Sequence, residues 1–104
     1  MSEVSQQFVV IAEFTAKPGQ RQALLAVAFE DARASLAKEE GCLAFDVLTS
    51  AASENLVVLH EVYTSAAAFE AHKQMPHYAP FKTNSAPLID GTPVVRVFEP
   101  ALPV

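Results

Sequence analysis

Residues Cys42–Tyr63 read CLAFDVLTSAASENLVVLHEVY, two apolar runs separated by a polar link. The runs Cys42–Thr49 and Leu56–Tyr63 are rich in the β-branched and aromatic residues that favour strands. The first run alternates, which predicts Leu43 and Phe45 on one face of its strand. Because Ser50–Asn55 is small and polar, the two strands are predicted to pair as an antiparallel hairpin.

A strand and a helix are predicted before this hairpin. Phe8–Phe14, FVVIAEF, reads as a strand that ends before the turn-forming Lys17-Pro18-Gly19. Helix formers dominate Gln20–Lys38, and Gly41 is suited to closing that helix. Apolar residues recur there at three- and four-residue spacing, which predicts a buried stripe of Leu25, Ala28, Phe29, Ala32 and Leu36.

A helix, an irregular segment and a last strand are predicted after the hairpin. Ala66–Gln74 is predicted to be helical, and His77–Leu88 is predicted to be an irregular helical stretch because two prolines interrupt it. Asp90-Gly91 is typical of a turn, so the last strand is predicted at Val94–Glu99.

The predicted order βαββαβ is the ferredoxin-like arrangement of the α+β class. Right-handed crossovers place both helices on one face of an antiparallel four-stranded sheet. The chain has 104 residues, of which 51% are hydrophobic, and this is enough for one core. We therefore expect a single domain over residues 1–104, with its core between residues 8 and 99.

The strands carry apolar residues on both faces, as at Val9 and Phe8 or at Val57 and Val58. Helices cover only one face, so the other face needs a second cover. This pattern predicts a homodimer that packs sheet against sheet, a dimeric α+β barrel. Charged substitutions at Val10 and Val58 are predicted to disrupt the interface. Substitutions at Val9 and Val57 are the control pair, since the sequence leaves open which strand face meets the partner.

Composition excludes several functions. The net charge is −5 and the seven Lys and Arg residues are scattered, so nucleic acid is not an expected partner. No apolar run approaches the ~20 residues that cross a bilayer, so no membrane span is expected. Met1–Gln7 is polar without Lys or Arg, which predicts a cytoplasmic protein rather than a secreted one. The single cysteine, Cys42, is expected to be a buried apolar residue.

No resident cofactor or metal is expected. With three glycines the chain has no glycine-rich phosphate loop or dinucleotide fingerprint. His72 and His77 lie five residues apart with Pro76 between them, whereas two ligands on one helix face are usually four apart.

Several short stretches resemble one known family. They are Lys17-Pro18-Gly19, Glu39-Glu40-Gly41-Cys42-Leu43, His60-Glu61-Val62-Tyr63 and the segment Ala71–Tyr78. In their order and spacing, over about residues 8 to 99, they resemble the antibiotic biosynthesis monooxygenase family. Two branches are similar: the cofactor-free monooxygenases that act on quinols and polyphenols, and the isomerase of the phosphorylated autoinducer-2 signal.

The haem-degrading branch of the family does not fit. Its members use an Asn, a Trp and a His where this chain has Ala12, His72 and Lys82, and the chain contains no Trp. Without the axial ligand the haem chemistry has no means to work.

Both remaining branches begin with proton removal by a base whose pKa lies near 7. The resemblance favours His72 and His77 as catalytic residues, and Glu61 is a third candidate because it is a carboxylate in an apolar strand. The ordinary structural alternative for Glu61 is a pair with Arg96, Lys73 or a partner subunit. Side chains expected to contact a small-molecule substrate are His60, Tyr63, Tyr78, Phe81 and Arg96.

Three functions follow from these residues. The first is a cofactor-independent monooxygenase of a small quinol or polyphenol, whose anion reduces O2 itself. The second is an isomerase of a phosphorylated hydroxyketone, with Arg96 or Lys73 holding the anion. The third is a dimer that binds a small ligand without catalysis.

Overall fold

The computed structural model describes residues 7–101. Residues 1–6 and 102–104 lie outside this range, and with them most of the N-terminal segment on which the expected cytoplasmic location rests. Within the described range no helix is long and apolar enough to cross a membrane. A short 3-10 turn, Ala86–Leu88, precedes the last strand. The elements in chain order are β1 (Phe8–Ala16), α1 (Arg21–Lys38), β2 (Cys42–Thr49), β3 (Leu56–Tyr63), α2 (Ala66–His72), α3 (Tyr78–Ser85) and β4 (Ile89–Phe98).

The four strands form one antiparallel sheet in the order β2-β3-β1-β4. The helices pack on one face of it, so the predicted ferredoxin-like α+β fold is confirmed. The two central strands supply alternate residues to the core: Val10, Ala12 and Phe14 from β1 face Val57 and Leu59 from β3. These side chains are nearly inaccessible to solvent, and they form the floor on which the helices lie.

The buried face of α1 differs from the predicted stripe. Phe29 and Leu36 are 46% and 49% exposed, so they do not belong to the core. The stripe is rotated because the face that meets the sheet includes two polar residues that hydrophobic periodicity does not select. The buried residues of α1 are Leu24, Ala28, Asp31, Ala32 and Ser35.

The predicted start of the last strand is also wrong. β4 begins at Ile89, and Asp90-Gly91 lies within it rather than in a turn before it. Gly91 has a φ of 70°, and the pairing of β4 with β1 shifts register in this region. A glycine with positive φ can form a bulge inside a strand, so a turn-like dipeptide does not end the strand here.

A second irregularity lies at the start of β2. The register between β2 and β3 shifts between Cys42 and Ala44, which leaves Leu43 as an extra residue. Leu43 is 49% exposed while Phe45 is buried, so the two do not share one environment as predicted. The bulge breaks the alternation on which that prediction was based.

Candidate active site

A small pocket lies between the sheet and the helices. Its volume is about 80 Å³. The pocket is mostly apolar, and four polar side chains from four different elements or their ends converge on it. An apolar lining with a few convergent polar groups is typical of small-molecule sites, although such sites usually measure about 300–1,000 Å³. The lining residues are Val10, Ala12, Phe14, Asp31, Leu59, Glu61, Phe69, His72, Tyr78, Phe81 and Val95.

Glu61 is the carboxylate that β3 presents to this pocket. It is 5% exposed, and its Oε1 accepts a 2.5 Å hydrogen bond from the Tyr63 hydroxyl, which is fully buried. Burial raises the pKa of Glu61 to about 7, although the hydrogen bond from Tyr63 opposes that rise. Burial, and then the Glu61 charge, raise the pKa of Tyr63 above its ordinary value, so its proton stays on the phenol oxygen.

A second polar cluster joins the ends of three helices. Glu39 Oε2 accepts hydrogen bonds from His72 Nδ1 at 2.8 Å and from His77 Nε2 at 2.5 Å. Ser35 Oγ lies 3.3 Å from the same nitrogen of His77. The His72, Glu39 and His77 side chains are 3%, 6% and 10% exposed, so the cluster is almost dry. The five-residue spacing between the histidines therefore does not keep their rings apart.

Local sequence explains how these ends meet. Glu39 is the C-cap of α1, His72 ends α2, and His77 is the N-cap of α3. The Ser65 side chain caps α2 by accepting a 3.1 Å hydrogen bond from the Ala68 amide. A Cβ on Gly41 would stand 2.7 Å from that of Ala68, so the glycine lets α2 approach the start of β2 closely.

Asp31 and His77 each carry a buried polar atom with no hydrogen-bond partner among the described residues. The atoms are Oδ1 of Asp31 and Nδ1 of His77. Burial raises the pKa of Asp31 to about 6, against the opposing attraction of His72 and His77. Both residues line a cleft of about 380 Å³ between α1 and α3, which adjoins the pocket through Asp31 and Phe81.

The predicted residues Tyr78 and Phe81 do lie at the pocket. The Tyr78 ring meets the His72 ring edge-on, with centroids 5.2 Å apart. Phe81 packs edge-on against Phe14 at 5.8 Å. The Tyr63 ring packs on Phe69 at 5.3 Å, and its hydroxyl is used by Glu61. Tyr63 therefore supports the pocket from behind Glu61.

Two predicted substrate contacts lie on the other face of the sheet. His60 alternates with Leu59 and Glu61, and its Nδ1 is 3.1 Å from Asp46 Oδ2. Arg96 donates a 2.9 Å hydrogen bond to Glu13, again on the helix-free face. Successive side chains of a strand point to opposite faces, so neither reaches the pocket of its own chain.

Neither of the structural partners predicted for Glu61 within the chain, Arg96 and Lys73, contacts it. Arg96 pairs with Glu13, and Lys73 donates to Glu70 at 3.2 Å. Glu61 instead pairs with Tyr63. Cys42 is buried as expected, and burial raises the pKa of its thiol to about 12.

Sequence reasoning missed three residues of the site: Asp31, Ser35 and Glu39. They are spaced four apart along α1 and its C-cap, so they lie on one face of the helix. The signal that could have found them is a row of polar residues beside Ala28 and Ala32, on a face that must be buried.

The fold and this pocket define a ferredoxin-like α+β protein with a small-molecule site between its sheet and its helices. The sequence model described as antibiotic biosynthesis monooxygenase matches residues 7–84. A protein of Mycobacterium tuberculosis, Rv0793, provisionally named as a monooxygenase, is 35% identical over 92 residues, which are 88% of each chain. The chain belongs to the antibiotic biosynthesis monooxygenase family.

Solved structures agree with this assignment. The structure of Rv0793 superposes with a TM-score of 0.86 at 30% identity, covering 94% of this chain and 98% of the other. A protein of the same family name from Nitrosomonas europaea gives a TM-score of 0.89 at 23% identity, over 95% and 94% of the two chains. At that identity the second match supports the fold alone. Family membership and the name of the mycobacterial relative support a monooxygenase activity.

Proposed function

We propose that the protein is a cofactor-independent monooxygenase that acts on a small quinol or polyphenol-type substrate. The observation that carries this proposal is Glu61, a carboxyl group whose pKa is raised to about 7 at the wall of an apolar pocket. Such a group is a base suited to neutral pH. Family membership supports the oxygenase part of the proposal.

The raised pKa has a quantitative consequence for proton transfer. A phenol resembling the tyrosine side chain has a pKa of about 10. Moving its proton to a carboxylate at its ordinary pKa of 4.5 costs about 7.5 kcal/mol, at about 1.36 kcal/mol per pKa unit. With the pKa of Glu61 at about 7 the cost falls to about 4 kcal/mol. Burial of Glu61 thus removes roughly 3 kcal/mol from this step.

The reaction follows from an electron-rich anion held in a dry site. Glu61 takes the hydroxyl proton, and the substrate anion passes one electron to O2. The resulting superoxide and substrate radical combine to form a carbon–oxygen bond at a ring carbon that carries hydrogen, and the proton held by Glu61 passes to the peroxide. Breakage of that C–H bond and of the O–O bond then releases water and leaves one oxygen atom in the product as a carbonyl. The substrate supplies both electrons, and the protein supplies proton transfer and exclusion of water.

His72 has a different role in this proposal. Its Nδ1 is engaged by Glu39, which leaves Nε2 as the nitrogen available to a substrate oxygen. His72 lines the pocket, so we assign it to binding and orienting the substrate. His77 lines the adjoining cleft and not the pocket, and its Nε2 contacts the same Glu39 oxygen that His72 contacts.

The charges around the pocket argue against a phosphorylated substrate. Its lining contains Asp31 and Glu61 but no Lys or Arg. Lys73 and Arg96, the residues that the isomerase hypothesis needs, are paired with Glu70 and Glu13 instead. A phosphate would add negative charge beside these carboxylates without a compensating cation, so a neutral phenol fits the pocket better. Its anion forms only as Glu61 takes the proton and becomes neutral, so the net charge of the pocket does not change.

Oxygen consumption tests the proposal directly. Chelator-treated protein is mixed with a panel of quinols in an oxygen electrode, and substrate-dependent uptake with an oxygenated product is expected. Glu61→Gln should reduce kcat by about 100-fold or more, the usual contribution of a general base. Glu54→Gln, an exposed change of the same kind, should leave kcat unaltered. An absence of uptake across the panel would count against the proposal.

We also propose that the working form is a homodimer joined through the helix-free face of the sheet. Val9 and Val58 lie on that face and are half-buried, whereas Val10 and Val57 point towards the helices and are buried there. The pair Val10 and Val58 and the pair Val9 and Val57 therefore each contain one residue from either face. Further apolar residues on this face are Ile11, Val62, Val94 and Phe98. A second sheet would cover them, and a stable interface of this kind buries upwards of ~1,600 Å².

A further inference from the structure

We propose that Glu39, His72 and His77 form a binding site for one divalent transition-metal ion of the zinc class, which ties the ends of α1, α2 and α3 together. The carboxylate oxygen and the two ring nitrogens lie within 4.8 Å of one another. This site is separate from Glu61, and its occupancy does not depend on the proposed oxygenase chemistry.

The donor set has the composition of a zinc site. Two imidazole nitrogens and one carboxylate oxygen are a known three-ligand combination for Zn²⁺, and they leave a fourth position open. Ligand atoms on one tetrahedral ion stand about 3.3 Å apart, given metal–ligand distances near 2.0–2.1 Å. The present separations of 2.8 and 2.5 Å are those of hydrogen bonds, so one ion replaces two protons after small side-chain rotations.

The unpartnered buried atoms nearby provide an independent reason. In the neutral His77 ring with its proton on Nε2, facing Glu39, Nδ1 is an acceptor, and it lies buried without a donor among the described residues. Oδ1 of Asp31, a residue that is 4% exposed and lines the same cleft as His77, is a second acceptor without a donor. A metal on Nε2 moves the ring proton to Nδ1, which then becomes a donor.

This rearrangement produces the arrangement expected around a metal-bound histidine. A ligating histidine usually donates its other ring N–H to a carboxylate, which fixes the tautomer and the ring orientation. Asp31 lines the same cleft as His77, and a side-chain rotation is needed to bring its Oδ1 within hydrogen-bond distance of His77 Nδ1, since neither atom has a partner among the described residues. Metal binding thus turns His77 Nδ1 into a donor, and buried Asp31 Oδ1 is the acceptor available for it. Without the metal both atoms are acceptors and neither has a partner.

Nitrogen ligands also select the ion. Imidazole suits Zn²⁺ and its neighbours in the first transition row, whereas Mg²⁺ and Ca²⁺ prefer sites made wholly of oxygen. We therefore expect Zn²⁺ and Co²⁺ to bind and Mg²⁺ to fail. The pair His60 and Asp46 on the helix-free face supplies only two ligand atoms, and the two side chains are 36% and 57% exposed. This pair is therefore a matched control for metal binding at the Glu39 cluster.

Titration calorimetry with the chelator-treated full chain tests the site. Zn²⁺ should bind one per chain with a dissociation constant below about 10 μM, and the thermal midpoint should rise with added Zn²⁺. Co²⁺ should give the visible ligand-field absorption of a four-coordinate site. Asp31→Asn should weaken Zn²⁺ binding by about 10–100-fold, as for other outer-shell partners. Glu39→Gln should weaken it further, and Glu40→Gln, at the exposed neighbouring position, should not.

Two results would overturn the inference. One is wild-type protein that binds neither Zn²⁺ nor Co²⁺ under these conditions. The other is binding that survives Glu39→Gln but disappears in His60→Ala, which would move the ion to the helix-free face. If Glu39→Gln fails to fold, His77→Ala at the edge of the cluster provides the same comparison. Oxygen uptake by chelated protein is measured separately, so failure here leaves the proposed function standing, and the converse also holds.

Discussion

The Tyr63 hydroxyl donates a 2.5 Å hydrogen bond to Glu61 Oε1, two residues earlier on the same face of β3. Strand geometry brings these side chains together, because residues i and i+2 project on one side of a sheet. The phenol proton partly offsets the burial of the carboxylate, and it occupies one of the two carboxylate oxygens. The other oxygen remains for a substrate proton, so the pair behaves as one unit in the predictions below.

Tyr63→Phe should raise the pKa of Glu61 further. The change keeps the ring packed on Phe69 but removes the hydrogen bond that favours the ionised carboxylate. A hydrogen bond to a charged group contributes about 1.5–3 kcal/mol, which corresponds to a rise of about 1–2 pKa units. The acid limb of the profile of kcat/KM against pH should move upward by this amount.

Infrared titration of the Glu61 carboxyl provides a check on this shift that does not depend on turnover. Tyr78→Phe is the control, since Tyr78 lines the pocket without a hydrogen bond to Glu61. A pKa of Glu61 that is the same in wild type and Tyr63→Phe would show that the hydrogen bond does not tune this carboxyl.

Glu61→Gln should change how stability depends on pH. Burial raises the pKa of Glu61 from 4.5 to about 7, so the folded state favours the protonated form. The contribution of protonated Glu61 to the free energy of unfolding is fully present below pH 4.5 and is lost as pH rises to about 7. Glutamine does not ionise, so the free energy of unfolding of the variant should rise relative to that of wild type across this pH range. The difference should reach about 3 kcal/mol at pH 8.

Urea unfolding at pH 5 and pH 8, at one protein concentration, measures the difference. Glu54→Gln, at an exposed position, should follow the wild-type curve at both values. Parallel curves for wild type and Glu61→Gln would mean that Glu61 ionises in the fold as easily as in the unfolded chain.

Most of the fold was predictable because its strongest signals are local. The bounds of β2 and β3 are those predicted, since both strands are apolar runs limited by small polar residues. The start of β4 was missed because Asp90-Gly91 usually marks a turn, and here it sits in an irregular edge strand. The buried side of α1 was predicted incorrectly because it includes the polar residues Asp31 and Ser35, which a search for apolar periodicity does not select.

The site was predicted only in part. Glu61 was recognisable as a carboxylate in an apolar strand, and strand alternation correctly placed Tyr63 beside it. The meeting of His72 and His77 at Glu39 depends on how three helix ends converge, which no spacing along the chain reveals. His60 and Arg96 lie on the helix-free face, away from the pocket of their own chain, and their contact with a substrate stays a prediction.

Val58→Asp should disrupt the proposed dimer. Val58 lies in the middle of the helix-free face, where a partner sheet would surround the new carboxylate with apolar side chains. Dissociation should leave an apolar sheet face in water, so unfolding is expected along with it. Sedimentation at micromolar concentration and circular dichroism measure the two effects.

Leu36→Asp is the matched control for this interface. Leu36 is 49% exposed on the outer side of α1, so the same change in residue should alter neither assembly nor folding there. A wild-type chain that sediments as a folded 11.2 kDa monomer would contradict the dimer outright.

Gly41→Ala should destabilise the protein through the contact between β2 and α2. The added methyl group would lie 2.7 Å from Ala68 Cβ, which is closer than packed carbon atoms allow, and at a tight 3.2 Å from Thr64 Oγ1. Overpacking of this kind costs about 1–3 kcal/mol in the free energy of unfolding. Ala68→Gly removes the opposing methyl group and should relieve this clash, so the double variant should recover much of the lost free energy of unfolding. The recovery is reduced by about 1 kcal/mol, the cost of a glycine inside α2. Thermal unfolding of the two single variants and the double variant gives this coupling energy. If the double variant is no more stable than the sum of the single changes predicts, the close approach of Gly41 to Ala68 does not hold α2 in place.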